Sequence, residues 1–339
     1  MILVSGIALV DLIASGLPRV AGPGELVFGS IRFSLGGHAC NVSVDLVQLG
    51  FPKSRLRVVF PAGHDMFGRF LLDSLKAKGV HVDPVLTDEA PTSLDLILVA
   101  KGEDRRYHAD PGANIVMSAA PVLELLNKHR PRLFYAGGAG LLNRMDARLD
   151  GVLKKAQALG ARTFVDIVSP YWQTWDFLQK ALPWTDFFHC NSDEAAGLTG
   201  RRQPRRALEA ICDLGAKHVF LTMGDKGILA AVPGAVLRVP AFSVKVTDPT
   251  GAGDAFSSGL ILKIYKALGS GKQPEDLSVG EWKDILVYAS ACGAACCLGV
   301  GTTAAVSGEN VERLVRRQGR TVARGVRITG AWPVRSTSF

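Results

Sequence analysis

A glycine-rich turn followed by a carboxylate is the stretch of this sequence whose residue types best suit chemistry. The segment Asp248–Phe256 reads Asp-Pro-Thr-Gly-Ala-Gly-Asp-Ala-Phe, and residues 255–268 carry apolar side chains at the intervals of an amphipathic helix. The backbone N–H groups of Gly251, Ala252 and Gly253 can approach an anion closely, and the dipole of the following helix adds partial positive charge. The turn therefore predicts a site for a phosphate or an oxyanion.

Asp254 stands in the first turn of the predicted helix, where the helix dipole favours its ionised form. An ionised carboxylate in front of an anion site can accept the proton of an alcohol, and phosphoryl transfer otherwise needs mainly alignment and charge compensation. An ordinary helix-start acid above a tight turn would explain the same residues. Other segments must decide between the two interpretations.

Two further segments supply side chains that suit a polyol. Gly36 and Gly37 precede Asn41, whose amide can donate hydrogen bonds to hydroxyl groups and accept them. Asp11 follows the first apolar run and would be a strong acceptor for sugar hydroxyls. A hydrogen bond from Asn41 to nearby backbone, and a loop or capping role for Asp11, explain these residues equally well.

A metal and a nucleotide are suggested by two other segments. Asn191 and Glu194 are three residues apart at a predicted helix start, and this spacing suits either water-mediated binding of Mg²⁺ or an N-terminal capping box. Thr222, Gly224 and Gly227 follow a predicted strand. Small residues there suit the flat face or the phosphates of a nucleotide, although a hairpin turn needs the same residues.

Strand-like and helical patterns alternate along the chain. The predicted strands cover residues 2–10, 56–60, 132–136, 163–168, 187–190, 218–222 and 242–246. The predicted helices cover residues 39–49, 66–78, 119–128, 145–159, 204–214 and 255–268. This alternation predicts an α/β fold with a mostly parallel sheet between two helix layers, in which ligands bind at the carboxyl ends of the strands.

Two extended segments, residues 18–35 and 92–108, interrupt the alternation. They predict a small accessory sheet that covers the active site as a lid; edge strands or a packing surface are the alternative. The expected organisation is one domain over residues 1–318, with lid strands at about 12–35 and 91–110. A basic, partly disordered tail is expected over residues 319–339.

Composition excludes several classes of function. The chain has 339 residues and a formal charge of +8, but its basic residues are scattered, so no nucleic-acid partner is expected. No apolar run reaches transmembrane length and the start lacks a signal-peptide pattern, so we expect a cytoplasmic protein with no membrane partner. The six cysteines are expected to be buried thiols. P-loop and dinucleotide-binding fingerprints do not occur.

Taken together and in this order, the segments resemble the ribokinase-like (PfkB) family of carbohydrate kinases from about Val4 to Val311. The C-terminal signature of that family fits residues 248–261 throughout. Its N-terminal signature fits at Gly36, Gly37, Ala39, Asn41, Ser43 and Gly50. The resemblance implies a three-layer α/β/α fold with a small β-sheet lid.

The resemblance also implies roles for individual residues. Asp254 would be the catalytic base, with the amides of Gly251, Ala252 and Gly253 as the anion hole. Sugar-binding residues would be Asp11, Gly36, Gly37, Asn41 and Asn114. Asn191 and Glu194 would organise Mg²⁺, through water, and phosphate. Nucleotide-binding residues would be Thr222, Gly224 and Gly227, with Ser290 near the adenine.

The implied function is ATP-dependent transfer of the γ-phosphoryl group to a hydroxyl of a small sugar or sugar acid, with ATP and Mg²⁺ as cofactors. A nucleoside kinase of the same family is the nearest alternative, and a non-catalytic sugar- or nucleotide-binding protein is another. The two classes of acceptor would need different residues in the lid. A nucleobase would lie on Phe33, Tyr107 or His108, whereas a sugar acid would pair with Arg106 or Lys101.

The lid also gives an expectation about assembly. Apolar residues such as Val27, Phe28 and Ile31 lie within its predicted strands. If they are exposed, they can pair two subunits, so a homodimer through the lid is expected.

Overall fold

The computed structural model describes residues 1–103 and 105–332, which form two β-sheets and the helices around the larger one. The strands are β1 (Ile2–Gly6), β2 (Leu9–Leu17), β3 (Ser30–Gly36), β4 (Leu56–Gly63), β5 (His81–Thr87), β6 (Leu94–Ala100), β7 (Arg106–Asp110), β8 (Leu133–Ala139), β9 (Arg162–Ile167), β10 (Phe187–Asn191), β11 (His218–Thr222), β12 (Ile228–Val232), β13 (Ala235–Val239) and β14 (Arg327–Gly330). The helices are α1 (His38–Gln48), α2 (Met66–Ala77), α3 (Ala120–His129), α4 (Asn143–Asp146), α5 (Leu149–Ala158), α6 (Asp176–Ala181), α7 (Ser192–Thr199), α8 (Pro204–Asp213), α9 (Ala252–Gly269), α10 (Val279–Cys296) and α11 (Gly308–Gly325).

The larger sheet is mostly parallel. Its order is β14-β13-β12-β11-β10-β9-β8-β1-β4-β5, and every pairing from β5 to β11 is parallel. Strands β12, β13 and β14 extend the sheet by antiparallel pairing. The carboxyl ends of the parallel strands therefore meet at one edge, where ligands gather in such sheets.

Helices cover both faces of this sheet because its central strands are apolar on both sides. All five residues of β1 are buried. Ile2 and Val4 belong to a hydrophobic cluster shared with α1, α2, α9, α10 and α11, whereas Leu3 belongs to a second cluster shared with α3, α5, α6, α7 and α8. Alternate side chains of one strand thus enter opposite cores. The predicted α/β/α fold is confirmed.

The smaller sheet has the order β3-β2-β6-β7. Strand β2 pairs with β3 antiparallel and with β6 parallel, and β6 pairs with β7 antiparallel. The predicted strand over residues 2–10 is divided between the two sheets. Ile7 N–H donates to the Gly137 carbonyl of the large sheet, whereas Val10 N–H donates to the Ser93 carbonyl beside the small one.

One predicted strand is absent. Residues 242–246 are extended but join neither sheet. A side chain, rather than a neighbouring strand, satisfies this backbone: Gln318 of α11 accepts from the N–H of Ser243 and donates to its carbonyl, both at 2.9 Å. The alternation of Phe242–Val246 was therefore a wrong indication of sheet pairing.

The C-terminal segment differs from the tail expected over residues 319–339. The boundary at residue 318 falls inside α11, which continues to Gly325, and β14 then pairs with β13. Residues 319–332 are therefore part of the folded domain in this structure. Residues 333–339, the rest of the expected tail, lie outside the described residues.

Candidate active site

Asp254 lies in the first turn of α9, and 8% of its surface is exposed. Its Oδ2 accepts a hydrogen bond from Asn41 Nδ2 at 2.8 Å, while its Oδ1 is buried without a hydrogen-bond partner. The sequence predicted that the helix dipole keeps this carboxylate ionised. Burial instead raises the pKa of Asp254 above its usual value. A raised pKa moves the group towards neutral pH, where a general base works best.

The turn before Asp254 has the backbone of an anion site. Gly251 caps α9 with φ of 84°, and a Cβ there would lie 2.5 Å from the Thr302 carbonyl oxygen, so only glycine fits. The N–H of Ala252 already donates to the Pro249 carbonyl at 3.1 Å. An anion hole at this turn therefore depends on Gly251 and Gly253 more than on Ala252.

Asn41 connects the base to the loop before α11. Its Oδ1 accepts from Thr302 Oγ1 at 2.8 Å, opposite the bond that its Nδ2 donates to Asp254. Gly37, with φ of 84°, caps the helix that carries Asn41; a Cβ there would lie 2.6 Å from the Ile7 carbonyl oxygen. In this structure Asn41 fixes Asp254, and contact with a sugar remains a prediction.

A cavity of about 490 Å³ opens on one side of the turn. The structure brings together here six residues predicted for phosphate or nucleotide: Thr222, Gly224, Gly227, Ala252, Gly253 and Ser290. The unpaired segment Phe242–Val246 supplies much of another wall. This volume lies within the range of small-molecule and cofactor sites, and small side chains and backbone dominate the polar part of the lining.

Asn191 and Glu194 form a capping box at the start of α7, as the alternative interpretation predicted. Asn191 Oδ1 accepts from the N–H groups of Asp193 and Glu194, and Glu194 Oε2 accepts from the N–H of Asn191 at 2.8 Å. The Asn191 oxygen is thus engaged by the backbone. Burial raises the pKa of Glu194, and its carboxylate is the better of the two groups for a water-mediated Mg²⁺.

A second cavity, of about 120 Å³, lies on the side of the small sheet. Asp11 on β2 lines it and is 4% exposed. Gly36 makes room for this carboxyl group, since a Cβ there would lie 2.7 Å from Asp11 Oδ2. Burial, and next the charge of Asp95, raise the pKa of Asp11 to about 8. Asp11 can therefore donate a hydrogen bond at neutral pH as well as accept one.

The cations of the second cavity are not those that the sequence predicted. Arg32 and Arg105 line it, and Arg105 pairs with Asp248 at 2.7 Å. Arg106 instead pairs with Glu103 on the exposed side of the small sheet, and Lys101 is exposed outside the cavity lining. The wrong neighbour was predicted because Arg105 and Arg106 are adjacent at the start of β7, and the sequence does not show which of the two side chains points into the cavity.

The aromatic platform predicted for a nucleobase is also absent from this cavity. Phe33 packs edge-on against Phe67 with ring centroids 5.8 Å apart. Tyr107 is 52% exposed. Neither Phe33, Tyr107 nor His108 is among the described residues that line the cavity.

Asn114 is buried and its side chain bonds to the protein. Its Oδ1 accepts from the Ala8 N–H at 3.0 Å, and its Nδ2 donates to the Ala8 carbonyl and to Ser93 Oγ. These contacts hold the crossing between the two sheets in place. The predicted direct contact with a sugar is not supported by this geometry, because both amide hydrogens are engaged.

Sequence reasoning missed several residues around the base. His38 and Asp166 lie beside Asp254, Thr302 bonds Asn41, and Arg105 lines the smaller cavity. His38 stands inside the glycine-rich segment before α1, a signal that could have been used. The others are distant in the sequence from every motif, so only the fold reveals them.

The fold and the site define a class of protein, a ribokinase-like phosphotransferase with an alcohol group as acceptor. A family model of pfkB family carbohydrate kinases matches residues 1–308. The chain therefore belongs to the PfkB family and is a sugar or nucleoside kinase of that family.

Individual relatives agree with this assignment. Fructokinase-2 of Oryza sativa subsp. japonica is 28% identical over 299 residues, covering 84% of this chain and 86% of the relative. Aminoimidazole riboside kinase of Salmonella typhimurium is 30% identical over 242 residues, covering 68% and 74%. The structure of Arabidopsis thaliana ribokinase complexed with ribose and ATP superposes with a TM-score of 0.74 at 21% identity, covering 93% and 98%.

Among the described residues, no helix is both long enough and apolar enough to cross a bilayer.

Proposed function

We propose that this protein is an ATP-dependent kinase that transfers a γ-phosphoryl group to a hydroxyl of a small sugar or sugar acid. The observation that carries the proposal is that Asp254 is connected to two cavities, to one through the turn before it and to the other through the hydrogen bonds of Asn41 and Thr302. The Gly251–Gly253 turn that precedes it borders the larger cavity, and Asn41 and Thr302 connect it to the smaller one. A nucleotide and an acceptor would thus meet at one carboxylate.

The chain's own groups account for the chemistry of transfer. Asp254 Oδ1 takes the proton of the acceptor hydroxyl, whose oxygen forms a bond to the γ-phosphorus as the bond to the β,γ-bridging oxygen breaks and ADP leaves. The amides of Gly251 and Gly253 stabilise the negative charge that develops on the transferred group. Asn41 keeps Oδ2 engaged, so Oδ1, which has no hydrogen-bond partner among the described residues, is the oxygen left to accept the substrate proton.

Magnesium fits the residues present on the nucleotide side. Glu194 offers a carboxylate on α7. Its charge and those of Asp254 and Asp166 all act on His189, so the three carboxylates lie close to one another. When bound, Mg²⁺ would neutralise phosphate charge and align the phosphates. Glu194 would hold it through water, whereas the oxygen of Asn191 caps α7.

The smaller cavity favours a sugar over a nucleoside. Its volume is about a quarter of that of the larger one, 120 against 490 Å³. Among the described residues its lining has no aromatic ring and contains Asp11, Arg32, Arg105 and Asp248. Hydroxyl groups, with or without a carboxylate, suit such a lining better than an apolar base does. The fructokinase relative agrees with this choice, and the aminoimidazole riboside kinase relative keeps the nucleoside alternative.

The test is ADP production with a panel of sugars, sugar acids and nucleosides, for the parent protein and Asp254→Asn. Loss of a general base typically costs about 10²- to 10⁴-fold in rate, so we expect kcat to fall by that factor. Asp150→Asn is the matched control, since Asp150 is a first-turn acid of α5 away from both cavities. Activity of Asp254→Asn within tenfold of the parent contradicts the proposed role.

Two other outcomes identify the alternatives. Turnover confined to nucleosides would favour the nucleoside kinase. Thermal stabilisation by sugars or ATP without any ADP production would favour a non-catalytic binding protein.

Pairing of two subunits through the small sheet stays a prediction. Four apolar residues near one another in the sequence are exposed: Leu26, Phe28, Ile31 and Phe33, at 77%, 80%, 71% and 54%. Grouped exposed apolar residues, unlike single ones, are typical of interaction surfaces. Sedimentation at micromolar concentration tests the prediction, and a monomeric mass contradicts it.

A further inference from the structure

His38 lies against the base without any role in the residue assignments above. It is the first residue of α1, and its side chain is 16% exposed. Its Nε2 lies 3.7 Å from Asp254 Oδ1 and 4.0 Å from Asp166 Oδ1. Asp254 Oδ1 is the buried oxygen that has no hydrogen-bond partner. Among the described residues, the imidazole is the basic side chain that lies within 4.0 Å of the oxygen that would take the proton.

Asp166, the other neighbour of His38, is held as a carboxylate by its own contacts. It accepts from His189 Nδ1 at 2.9 Å, from Ser257 Oγ at 2.7 Å and from the Tyr135 hydroxyl at 3.1 Å. Burial alone would raise the pKa of Asp166, but the charge and hydrogen bond of His189 bring it below the usual value. A fixed negative charge thus lies beside His38, and one side-chain atom each of His38, Asp166 and Asp254 lie within 4.8 Å of one another.

The backbone on both sides makes room for this histidine. Gly137 on β8 faces it, and a Cβ there would lie 2.6 Å from the Cβ of His38. Gly37, directly before His38, has a left-handed conformation. A Cβ at Gly137 would also lie 2.4 Å from the Tyr135 ring, so His38 and Tyr135 pack closely over a position that only glycine fits.

The electrostatic surroundings of the base are mostly acidic. Apart from the thiols of Cys40 and Cys296, the titratable groups whose charges interact with Asp254 or His38 come from six elements: Asp11 on β2, Asp45 on α1, Tyr135 on β8, Asp166 on β9, His189 on β10 and Glu194 on α7. His189 is already committed to Asp166. His38 is the remaining group in this set that can bring positive charge to Asp254.

We propose that His38 is a positioning residue that pairs with both Asp166 and Asp254 and, when protonated, favours the ionised form of the base before the acceptor hydroxyl arrives. The proposal rests on the kinase function proposed above. Asn41 fixes one oxygen of Asp254 by a hydrogen bond, and His38 compensates the charge of the other oxygen without occupying it. At 3.7 Å the imidazole leaves that oxygen able to accept the substrate proton.

The sign of the expected effect follows from the charges. An opposite charge within about 4–6 Å lowers the pKa of a carboxyl group by about 1–3 units. Removal of His38 leaves burial and Asp166, both of which raise the pKa of Asp254. The base then becomes ionised only at higher pH, so the acid limb of the pH profile of kcat/KM moves upward.

The experiment compares His38→Gln, His38→Lys and the parent protein over pH 5–9 with ATP and the best acceptor. We expect the acid limb for His38→Gln to move upward by about one pH unit, with about a tenfold loss of kcat/KM on that limb. His38→Lys, which keeps a positive charge, should retain the parent limb. His64→Ala is the matched control, because His64 is half-exposed and pairs with Asp88 away from the site.

Two results overturn the inference: an unchanged acid limb in His38→Gln, or the same shift in His38→Lys as in His38→Gln. Circular dichroism and thermal unfolding of each variant identify a folding defect in His38→Gln, in which case His38→Ala, which removes the imidazole without adding bulk, must produce the same upward shift or the inference fails. Failure of the kinase function itself is separate. In that case the parent protein yields no ADP, or Asp254→Asn retains its activity.

Discussion

The two cavities beside Asp254 are built from different materials. The larger one is lined mainly by glycines, small side chains and an unpaired backbone segment, with Asp225 as its one charged residue among those described. The smaller one has four charged residues, Asp11, Arg32, Arg105 and Asp248, among apolar ones such as Ile97. Backbone N–H groups can bind any phosphate, because they contact the phosphate oxygens and not the rest of the ligand. Charged side chains discriminate among ligands. From this difference we expect the larger cavity to bind the phosphates of the nucleotide and the smaller cavity to select the acceptor.

The largest effect is expected from the backbone of the larger cavity. Gly251→Ala places a Cβ 2.5 Å from the Thr302 carbonyl oxygen at φ of 84°, so the turn must move and take its amides with it. Loss of one such donor typically costs about 10²- to 10³-fold in kcat, and we expect a fall of about that size, measured as ADP release.

Gly151→Ala is the control for that substitution. Gly151 lies in α5, and a Cβ there would meet nothing within 4 Å. Equal activity of the two glycine variants would mean that the Gly251 turn does not act on the transferred phosphate.

A moderate effect is expected from a side chain of the smaller cavity. Arg105→Ala should raise KM for the acceptor about tenfold, because a hydrogen bond to a charged group is worth about 1.5–3 kcal/mol, and should leave KM for ATP nearly unchanged. Arg106→Ala is the control, because Arg106 is next to Arg105 in the sequence but pairs with Glu103 outside the cavity. An equal rise in both KM values would show that the two cavities do not divide the work as described.

The smallest effect on activity is expected outside both cavities. Asp45 on α1 is fully buried, and both of its carboxylate oxygens lack a hydrogen-bond partner. Burial raises its pKa well above 3.8. Asp45→Asn should leave kcat within about twofold but stabilise the fold at neutral pH, because an amide is buried neutral without taking up a proton; the gain is about 1.4 kcal/mol for each unit by which burial raises the pKa of Asp45.

The pH dependence of that stability has a definite sign. The native state holds a proton on Asp45 that the unfolded chain releases near pH 4. The contribution of Asp45 to stability is therefore complete below that pH and declines as pH rises towards the native pKa. Thermal melts at pH 4 and pH 8 should show a larger gain for Asp45→Asn at pH 8, and an equal gain at both values would contradict this account.

Much of the fold could be predicted because its signals are local. The helix over residues 255–268 and the Asn191–Glu194 cap depend on residues three or four positions apart, and both occur in the structure. The strand over residues 2–10 was only half right. Its apolar run is continuous, and the change of sheet at Ile7 is set by partners at Gly137 and Ser93.

The site was less predictable because it depends on distant residues. Asp254 and Asn41 belong to recognisable motifs, but Asp166 reaches them only through the order of the strands. That Arg105 rather than Arg106 faces the smaller cavity depends on the backbone at the start of β7. Likewise, the segment that begins at Phe242 pairs with no strand. Its Ser243 N–H donates instead to Gln318, a residue of α11 that lies 76 positions after Phe242.

Helix α11 has a consequence for anyone who shortens this chain. The family match ends at residue 308, where the helix begins. A fragment trimmed to the match would lose Gln318, which supports the wall of the larger cavity, and would also lose β14, leaving β13 as a bare border of the sheet. An exposed edge strand favours aggregation, so we expect residues past the matched region to limit aggregation and to support the proposed nucleotide site.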